Sequence, residues 1–169
     1  MKKRATNHTL IIGWGNDLRG DDAAGREAAR RIAGEDWPGV DVVELHQLTP
    51  ECALRLADYK QVLFIDAQPA GVAPEVTVRA IAAPAALPAR HSVHRVTPEY
   101  LLALAAGLYG AHPRAWLVGI PAHDFDVGET LSAATRAGVC AALEACRQRV
   151  GPGAPPDRAL ETEMERKAS

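Results

Sequence analysis

The sequence predicts an α/β domain in which helices cover both faces of a largely parallel β-sheet. Short apolar segments rich in β-branched residues alternate along the chain with longer segments of helical periodicity. This alternation is typical of parallel sheets, whose strands are joined by helical crossovers. The predicted strands are Thr9 to Ile12, Val40 to Leu45, Gln61 to Ile65, Glu75 to Ile81, which alternates like a less buried strand, and Ala115 to Ile120.

Local capping signals mark the helices. Two of them begin with Thr-Pro-Glu, in which the threonine supplies the N-cap and the proline takes the first helical position. Gly25 allows the first helix to approach the sheet closely, and Gly110 ends the third. The predicted helices run from Asp21-Asp22 to about Ile32, over a short stretch from Thr49, from Thr97 to Gly110, and from about Glu129 to Val150.

Length and composition indicate one soluble domain. The chain has 169 residues, of which 47% are hydrophobic and 24% charged, and its formal net charge is -2. This balance gives no electrostatic reason to expect nucleic acid or an anionic membrane as a partner. We assign residues 1–150 to the domain. Residues 151–169 are rich in proline and charge, so we predict a flexible polar tail that is dispensable for folding.

The N-terminus predicts a cytoplasmic protein. Met1-Lys2-Lys3-Arg4 has the basic character of a signal peptide, but Gly13 interrupts the apolar run that follows. No stretch approaches the roughly 20 apolar residues that span a bilayer. The three cysteines are not closely paired, which argues against a disulfide framework. For Cys140 and Cys146 we expect packing in the core.

Ligands of parallel sheets bind beyond the carboxyl ends of the strands. Three predicted loops lie there, at Gly13 to Asp22, Leu45 to Thr49 and Asp66 to Gly71. The first resembles a dinucleotide loop, because Gly13-x-Gly15 follows a strand and precedes a helix. However, the third glycine is misplaced, and the two acidic residues at the helix N-terminus would repel a pyrophosphate.

The acidic residues of these loops have two interpretations. Asp21 could be an N-cap and Asp22 could interact with the helix dipole, which would make both structural. Asn16 and Asp17 add polar groups to the same loop, and Asp66 follows a buried strand at the same edge. A carboxylate in that position is costly unless it is paired, hydrogen-bonded or bound to a metal, although it could also be a turn residue.

Histidines could complete a metal site at this edge. His91 and His94 lie in the loop before a predicted helix. One of them together with two carboxylates would form an oxygen, oxygen and nitrogen site for a divalent ion. A solvated surface histidine is the alternative, and spacing alone does not decide between them.

The glycine loop carries a family resemblance. The segment Gly13-Trp14-Gly15-Asn16-Asp17-Leu18-Arg19-Gly20-Asp21-Asp22-Ala23-Ala24-Gly25 resembles the N-terminal signature of hydrogenase maturation endopeptidases. That signature is Gly-x-Gly-Asn, a hydrophobic residue, an acidic pair, and a glycine three residues beyond it. The resemblance continues through Phe64-Ile65-Asp66-Ala67, Ser92-x-His94 and Leu117 to Ile120, and it covers roughly residues 9–148.

The resemblance implies a three-layer α/β/α sandwich with a twisted, mostly parallel five-stranded sheet. It also implies that Asp22, Asp66 and His94 bind nickel and carry the catalysis, with His91 as a rival to His94. The family often has glutamate where this chain has Asp22. The segment from His46 to Glu51 resembles the branch that serves soluble, cytoplasmic hydrogenases.

The implied function is removal of the C-terminal extension from the large-subunit precursor of a nickel-iron hydrogenase. The nickel would be supplied by the loaded precursor, and the protease would act as a monomer. Either an Asp general base or a Lewis-acid nickel could activate the water. The alternatives are an unrelated metal-dependent hydrolase and a non-proteolytic nickel-binding assembly factor or chaperone. The six histidines form no run, which argues against a metal store.

A pattern that occurs twice in the chain adds a candidate site residue. His46-Gln47-Leu48-Thr49-Pro50-Glu51 and the segment from His94 to Glu99 share the pattern His, any residue, aliphatic, Thr, Pro, Glu. Capping explains the Thr-Pro-Glu but not the histidine three residues before it. We therefore predict that His46 lines the site beside His94 and contacts the substrate tail or a carboxylate that supports the metal ligands. Asn16 of the glycine loop is predicted to have a similar supporting or substrate-binding role. The alternative is that His46 and His94 are two loop histidines with unrelated roles.

Overall fold

A computed structural model describes residues 9–85 and 96–154, and it contains a five-stranded sheet in this part of the chain. The strands are β1 (Thr9–Trp14), β2 (Val40–Leu45), β3 (Gln61–Pro69), β4 (Thr77–Ile81) and β5 (Arg114–Ala122). They lie in the order β2-β1-β3-β5-β4. The first four strands of that order are parallel, and β4 is antiparallel to β5 at the edge. The predicted mostly parallel five-stranded sheet is confirmed.

Helices cover both faces of the sheet. They are α1 (Ala24–Glu35), α2 (Cys52–Leu56), α3 (Pro98–Tyr109) and α4 (Ala133–Val150). Side chains alternate between the faces of a strand, so Ile11 of β1 packs in one core cluster with α1 and α4. Leu10 and Ile12 pack in the other cluster with α2 and α3. Strands β1 and β3 are covered by helices on both faces, which explains why their sequences are continuously apolar.

Glycines bring α1 against the sheet. A side chain at Gly25 would collide with the carbonyl oxygens of Ile65 in β3 and Trp14 in β1. Gly15 has a φ of 146°, a conformation that favours glycine, and a side chain there would collide with the carbonyl oxygen of Asp22. The absence of both side chains lets the start of α1 and the segment before it pack directly against the end of β1 and the middle of β3.

The caps of α3 are those that the sequence predicts. The Thr97 side chain accepts a hydrogen bond from the backbone N–H of Tyr100 at 3.2 Å, and Pro98 is the first helical residue. Gly110 ends the helix with a φ of 64°. The corresponding prediction that Thr49 is the N-cap of the short helix α2 is wrong. Thr49 lies in a turn, and Glu51 occupies the N-cap of α2.

Several predicted boundaries need correction. β3 continues past Asp66 to Pro69 and β5 continues to Ala122, because these two strands pair in parallel as far as Pro69 and Ala122. The first helix begins with a short 3₁₀ helix (Gly20–Ala23), and the regular α1 starts after it. The last helix starts after its N-cap Ser132, whose side chain accepts from the N–H of Thr135.

Two further predictions concern exposure. Cys146 is buried as expected, but Cys140 lies on an exposed part of α4, so its predicted core packing is wrong. None of the described helices has both the length and the hydropathy that a membrane crossing requires. Most of the predicted tail, residues 155–169, lies outside the described residues.

Candidate functional site

A polar pocket lies at the carboxyl edge of the sheet, where the sequence predicts ligand binding. Its volume is about 350 Å³. It is lined by Trp14, Gly15, Asn16, Arg19, Asp22, His46, Gln47, Leu48, Asp66 and Val96. The pocket therefore brings together Asn16, Asp22, His46 and Asp66, which are separated by up to 50 positions in sequence.

The glycine loop holds the Asp22 carboxylate at the pocket. Asp22 is half-buried, and its Oδ2 accepts a hydrogen bond from the backbone N–H of Asn16 at 2.9 Å. The Asn16 side-chain oxygen accepts in turn from the N–H of Leu18 at 2.9 Å. The loop therefore closes on itself around Asn16, and this closure presents the Asp22 side chain to the pocket.

Asp66 reaches the pocket from within β3. It was predicted to end this strand, but it is paired with Gly119 of β5, and three more strand residues follow it. Asp66 shares a strand face with Phe64, because side chains two residues apart point the same way. The ring of Phe64 meets the ring of Trp14 edge-on at 6.2 Å, and Trp14 also lines the pocket. Trp14 and the half-buried Asp66 thus both line the pocket, and Phe64 packs against the Trp14 ring.

Asp21 does not line the pocket, and its predicted role as the N-cap of its own helix is wrong. Its side chain is fully buried and accepts hydrogen bonds from three backbone N–H groups, those of His123, Asp124 and Ser132, at 2.6–2.9 Å. The hydroxyls of Ser132 and Thr135 donate to it at 2.8 and 2.7 Å. Asp21 therefore ties the glycine loop to the start of α4, more than 100 positions away.

These hydrogen bonds set the ionisation of Asp21. Burial by itself would raise the pKa of this carboxyl, but the N–H groups of His123 and Ser132 and the hydroxyls of Thr135 and Ser132 outweigh it. The net result lowers the pKa of Asp21 from 3.8 to about 2. Asp21 is thus a permanently charged structural group at neutral pH.

Asp17 serves the scaffold as well. Its carboxylate contacts the guanidinium groups of Arg26 at 2.7 Å and Arg30 at 2.8 Å, both in α1. Arg30 also contacts Glu44 of β2 at 2.7 Å. Asp17 is not among the residues that line the pocket. This loop carboxylate therefore braces the glycine loop against α1, and Asp22 is the loop's acidic group at the site.

His46 follows β2 directly and is exposed at the pocket. Within residues 9–85 and 96–154, no three His, Cys, Asp or Glu side chains are grouped closely enough to hold a metal ion. His46 therefore does not complete a three-ligand cluster with Asp22 and Asp66. The two carboxylates supply hard oxygen donors, which suit a divalent cation that receives further ligands from elsewhere.

The predicted ligand His94 and its rival His91 lie outside the described residues. Val96, two positions beyond His94 in sequence, lines the pocket. Sequence reasoning missed Arg19 and Gln47 as pocket residues, since exposed polar side chains in loops give no distinctive pattern. Arg19 brings a cation to the pocket, and its Nε also donates to the carbonyl oxygen of Phe125 at 3.4 Å.

Solved structures share this architecture. A hydrogenase 2 maturation peptidase from a Thaumarchaeota archaeon superposes with a TM-score of 0.62 at 24% identity, covering 84% of this chain and 97% of that protein. The fold is that of the NiFe-hydrogenase maturation proteases. HycI from Thermococcus kodakarensis gives a TM-score of 0.65 at 21% identity, covering 84% of this chain and 91% of its own. HybD from E. coli gives 0.59 at 18% identity, covering 83% and 93%.

These identities are low, so the likeness to the maturation proteases establishes the three-layer fold and its five-stranded sheet. No protein-family model matches the sequence, and no curated protein matches it. The likeness extends over nearly the whole length of the solved proteases. The chain therefore shares nearly their whole fold, and its polar pocket lies at the carboxyl edge of the sheet.

Proposed function

We propose that the protein is a hydrogenase maturation endopeptidase that removes the C-terminal extension from the nickel-loaded large-subunit precursor of a nickel-iron hydrogenase. The observation that carries this proposal is the pocket that brings Asp22 and Asp66 together at the carboxyl edge of the sheet. The shared fold of the maturation proteases supports it, as does the glycine-loop signature that supplies Asp22.

In this proposal the nickel belongs to the substrate. The precursor brings the ion to the pocket, where the carboxylates of Asp22 and Asp66 offer oxygen ligands and His94 offers a nitrogen ligand. A site that recognises a metal in this way needs few ligands of its own, because the precursor supplies the others. Among the described residues that line the pocket, the acidic ones are Asp22 and Asp66, which is consistent with such a site.

Cleavage of the peptide bond requires an activated water. One route uses an Asp carboxylate of the pocket as the general base, and the other uses the nickel as a Lewis acid. The two routes differ in their dependence on the metal. Cleavage rates that follow the Lewis acidity of a substituted metal favour the second route, and rates that depend only on precursor binding favour the first.

The pocket has a volume of about 350 Å³ and is open to solvent at the exposed side chains of His46 and Arg19. Selection of the partner then depends on the metal and on surfaces around the pocket.

Mass spectrometry of a purified precursor tests the proposal. We expect incubation with this protein to shorten the nickel-loaded precursor by one C-terminal peptide and to leave the nickel-free precursor intact. Binding of the precursor without any change in its mass would instead indicate an assembly factor. Cleavage of generic peptides without a nickel-bearing precursor would indicate an unrelated metal-dependent hydrolase.

A further inference from the structure

We infer that Asp21 is a positioning residue that holds the neighbouring Asp22 carboxylate at the pocket. Asp21 is fully buried, does not line the pocket, and has no cationic partner among its hydrogen-bond donors. The inference deepens the proposed function, because it names a residue that acts on the proposed ligand Asp22 without touching substrate.

The donors around Asp21 are distributed unequally between its two oxygens. Oδ2 accepts from the N–H groups of His123 and Asp124, both at 2.9 Å, and from the hydroxyls of Ser132 and Thr135. Oδ1 accepts from the N–H of Ser132 at 2.6 Å. Both oxygens are thus committed to groups on the segment between β5 and α4 and on the first turn of α4.

The backbone of the same turn is attached to the same segment. The N–H of Asp21 donates to the carbonyl oxygen of Asp124 at 2.8 Å, and the N–H of Gly20 donates to that of Gly128 at 2.8 Å. Main chain and side chain of the 3₁₀ helix are therefore both anchored to the segment before α4. The carboxylate of the next residue, Asp22, accepts a hydrogen bond from the Asn16 N–H at 2.9 Å. Asp22 also lines the pocket.

Asparagine cannot reproduce this arrangement at position 21. Its amide has one acceptor oxygen and an NH₂ group that only donates. If the oxygen takes the place of Oδ2, the NH₂ faces the N–H of Ser132. If the amide is reversed, the NH₂ faces four donors. In either orientation two donors oppose each other in a buried site, so the 3₁₀ helix that carries residue 21 must shift.

The backbone amide of Asn16 reports the position of Asp22, because it donates directly to that carboxylate. We expect Asp21→Asn to move the Asn16 amide resonance upfield in a ¹H-¹⁵N correlation spectrum and to reduce its protection from hydrogen exchange. Asp22 is chemically intact in this variant, so the loss of exchange protection at the Asn16 amide measures displacement of its acceptor. An unchanged Asn16 amide in a folded Asp21→Asn protein overturns the inference.

Val139→Ala is the matched control. Val139 is fully buried in α4 but does not contact Asp21 through any hydrogen bond, so its truncation lowers stability without disturbing the carboxylate. We expect its Asn16 amide to resemble the wild type. An equal shift in Val139→Ala would show that general loosening of α4 is sufficient, and this would overturn the specific role of Asp21.

Thr135→Val provides a second variant if Asp21→Asn does not fold. It removes one hydroxyl donor from Asp21 and keeps the charge and the other four hydrogen bonds. We expect the Asn16 amide to move in the same direction by a smaller amount. If the amide does not move in Thr135→Val while Asp21→Asn is unfolded, the inference also fails.

The kinetic test rests on the proposed function. With nickel-loaded precursor, we expect Asp21→Asn to lower kcat by about 10- to 100-fold with little change in KM, as misplacement of a reacting group does. Val139→Ala should keep the wild-type kcat. If the wild type does not process the precursor, the proposed function fails, whereas the Asn16 amide still decides the role of Asp21. If the wild type is active and Asp21→Asn has the same kcat, the result would contradict the positioning role of Asp21.

Discussion

Asp21 and Asp22 are adjacent in sequence, but their carboxylates serve different parts of the molecule. The Asp21 carboxylate is buried against the start of α4 and accepts five hydrogen bonds. The Asp22 carboxylate accepts one N–H from Asn16 and lines the pocket that Asp66 also lines. One acidic pair thus supplies a structural anchor and a candidate ligand.

The first prediction concerns the proposed ligands. We expect Asp22→Asn, Asp66→Asn and His94→Ala each to abolish processing of the nickel-loaded precursor. Asp22→Asn and Asp66→Asn should also keep the fold, since isosteric changes at a pocket cost little stability. Asp126→Asn, an exposed carboxylate that does not line the pocket, is the control. Mass spectrometry and circular dichroism measure the two properties. Wild-type processing by any two of the three variants would contradict the ligand assignment.

The second prediction concerns His46, which lines the pocket but does not join the two carboxylates as a third ligand. We expect His46→Ala to slow cleavage by roughly 10- to 100-fold, the range for residues that support metal ligands. It should weaken metal binding, measured by calorimetry, less than His94→Ala does. His112→Ala, at a different pocket, should leave both unchanged. Wild-type cleavage kinetics in His46→Ala would refute the prediction.

A pair of glycines in α1 tests the close approach of that helix to the sheet. A Cβ at Gly25 would collide with the Ile65 and Trp14 carbonyl oxygens, so Gly25→Ala should lower the free energy of unfolding by roughly 1–3 kcal/mol or more. A Cβ at Gly34 meets nothing within 4 Å, so Gly34→Ala should raise it by roughly 0.5–1 kcal/mol. Urea unfolding measures both. Equal changes in the two variants would be inconsistent with the packing described.

Acid should destabilise the protein partly through Asp21. Its pKa is about 2 in the folded protein, below the ordinary value of 3.8, so its charged form is favoured by folding. Its contribution, roughly 2 kcal/mol, is present above about pH 4 and is lost as the pH falls towards 2.

Urea unfolding at pH 6 and at pH 3 measures this loss of stability. Asp21→Asn should be less stable than the wild type at pH 6, because buried donors lose their acceptor, and its stability should change less between the two pH values. An equal decrease in both proteins would assign the acid sensitivity to other carboxyls.

The cysteines of α4 should differ in reactivity. Burial raises the pKa of the Cys146 thiol to about 12, although Arg149 opposes this in part, whereas Cys140 is exposed. Because the thiolate is the reactive form, iodoacetamide at pH 8 should modify Cys140 quickly and Cys146 only after unfolding. Peptide mass mapping in buffer and in denaturant measures the difference. Similar rates for both cysteines in buffer would contradict the buried position of Cys146.

Much of the fold could be predicted because its signals are local. The apolar runs of β1 and β3 and the caps of α3 depend on neighbouring residues, and the structure has them at the expected places. The extension of β3 could not be predicted from Ala67-Gln68-Pro69, which has the composition of a loop. It is a strand because β5 pairs with it, and because the Gln68 side chain contacts the Gly119 carbonyl and the Thr77 hydroxyl.

By itself the sequence determined the succession of strands and helices, the glycine positions that permit close packing, and the set of polar residues at one edge of the sheet. These follow from periodicity and backbone sterics, which act over a few residues. Tertiary structure decided which of these polar groups meet. The donors that capture Asp21 lie 102–114 positions away, and Asp22 lines the same pocket as Asp66 because α1 packs against the end of β1 and the middle of β3. Such partners are selected by packing across the domain, and no local pattern encodes them.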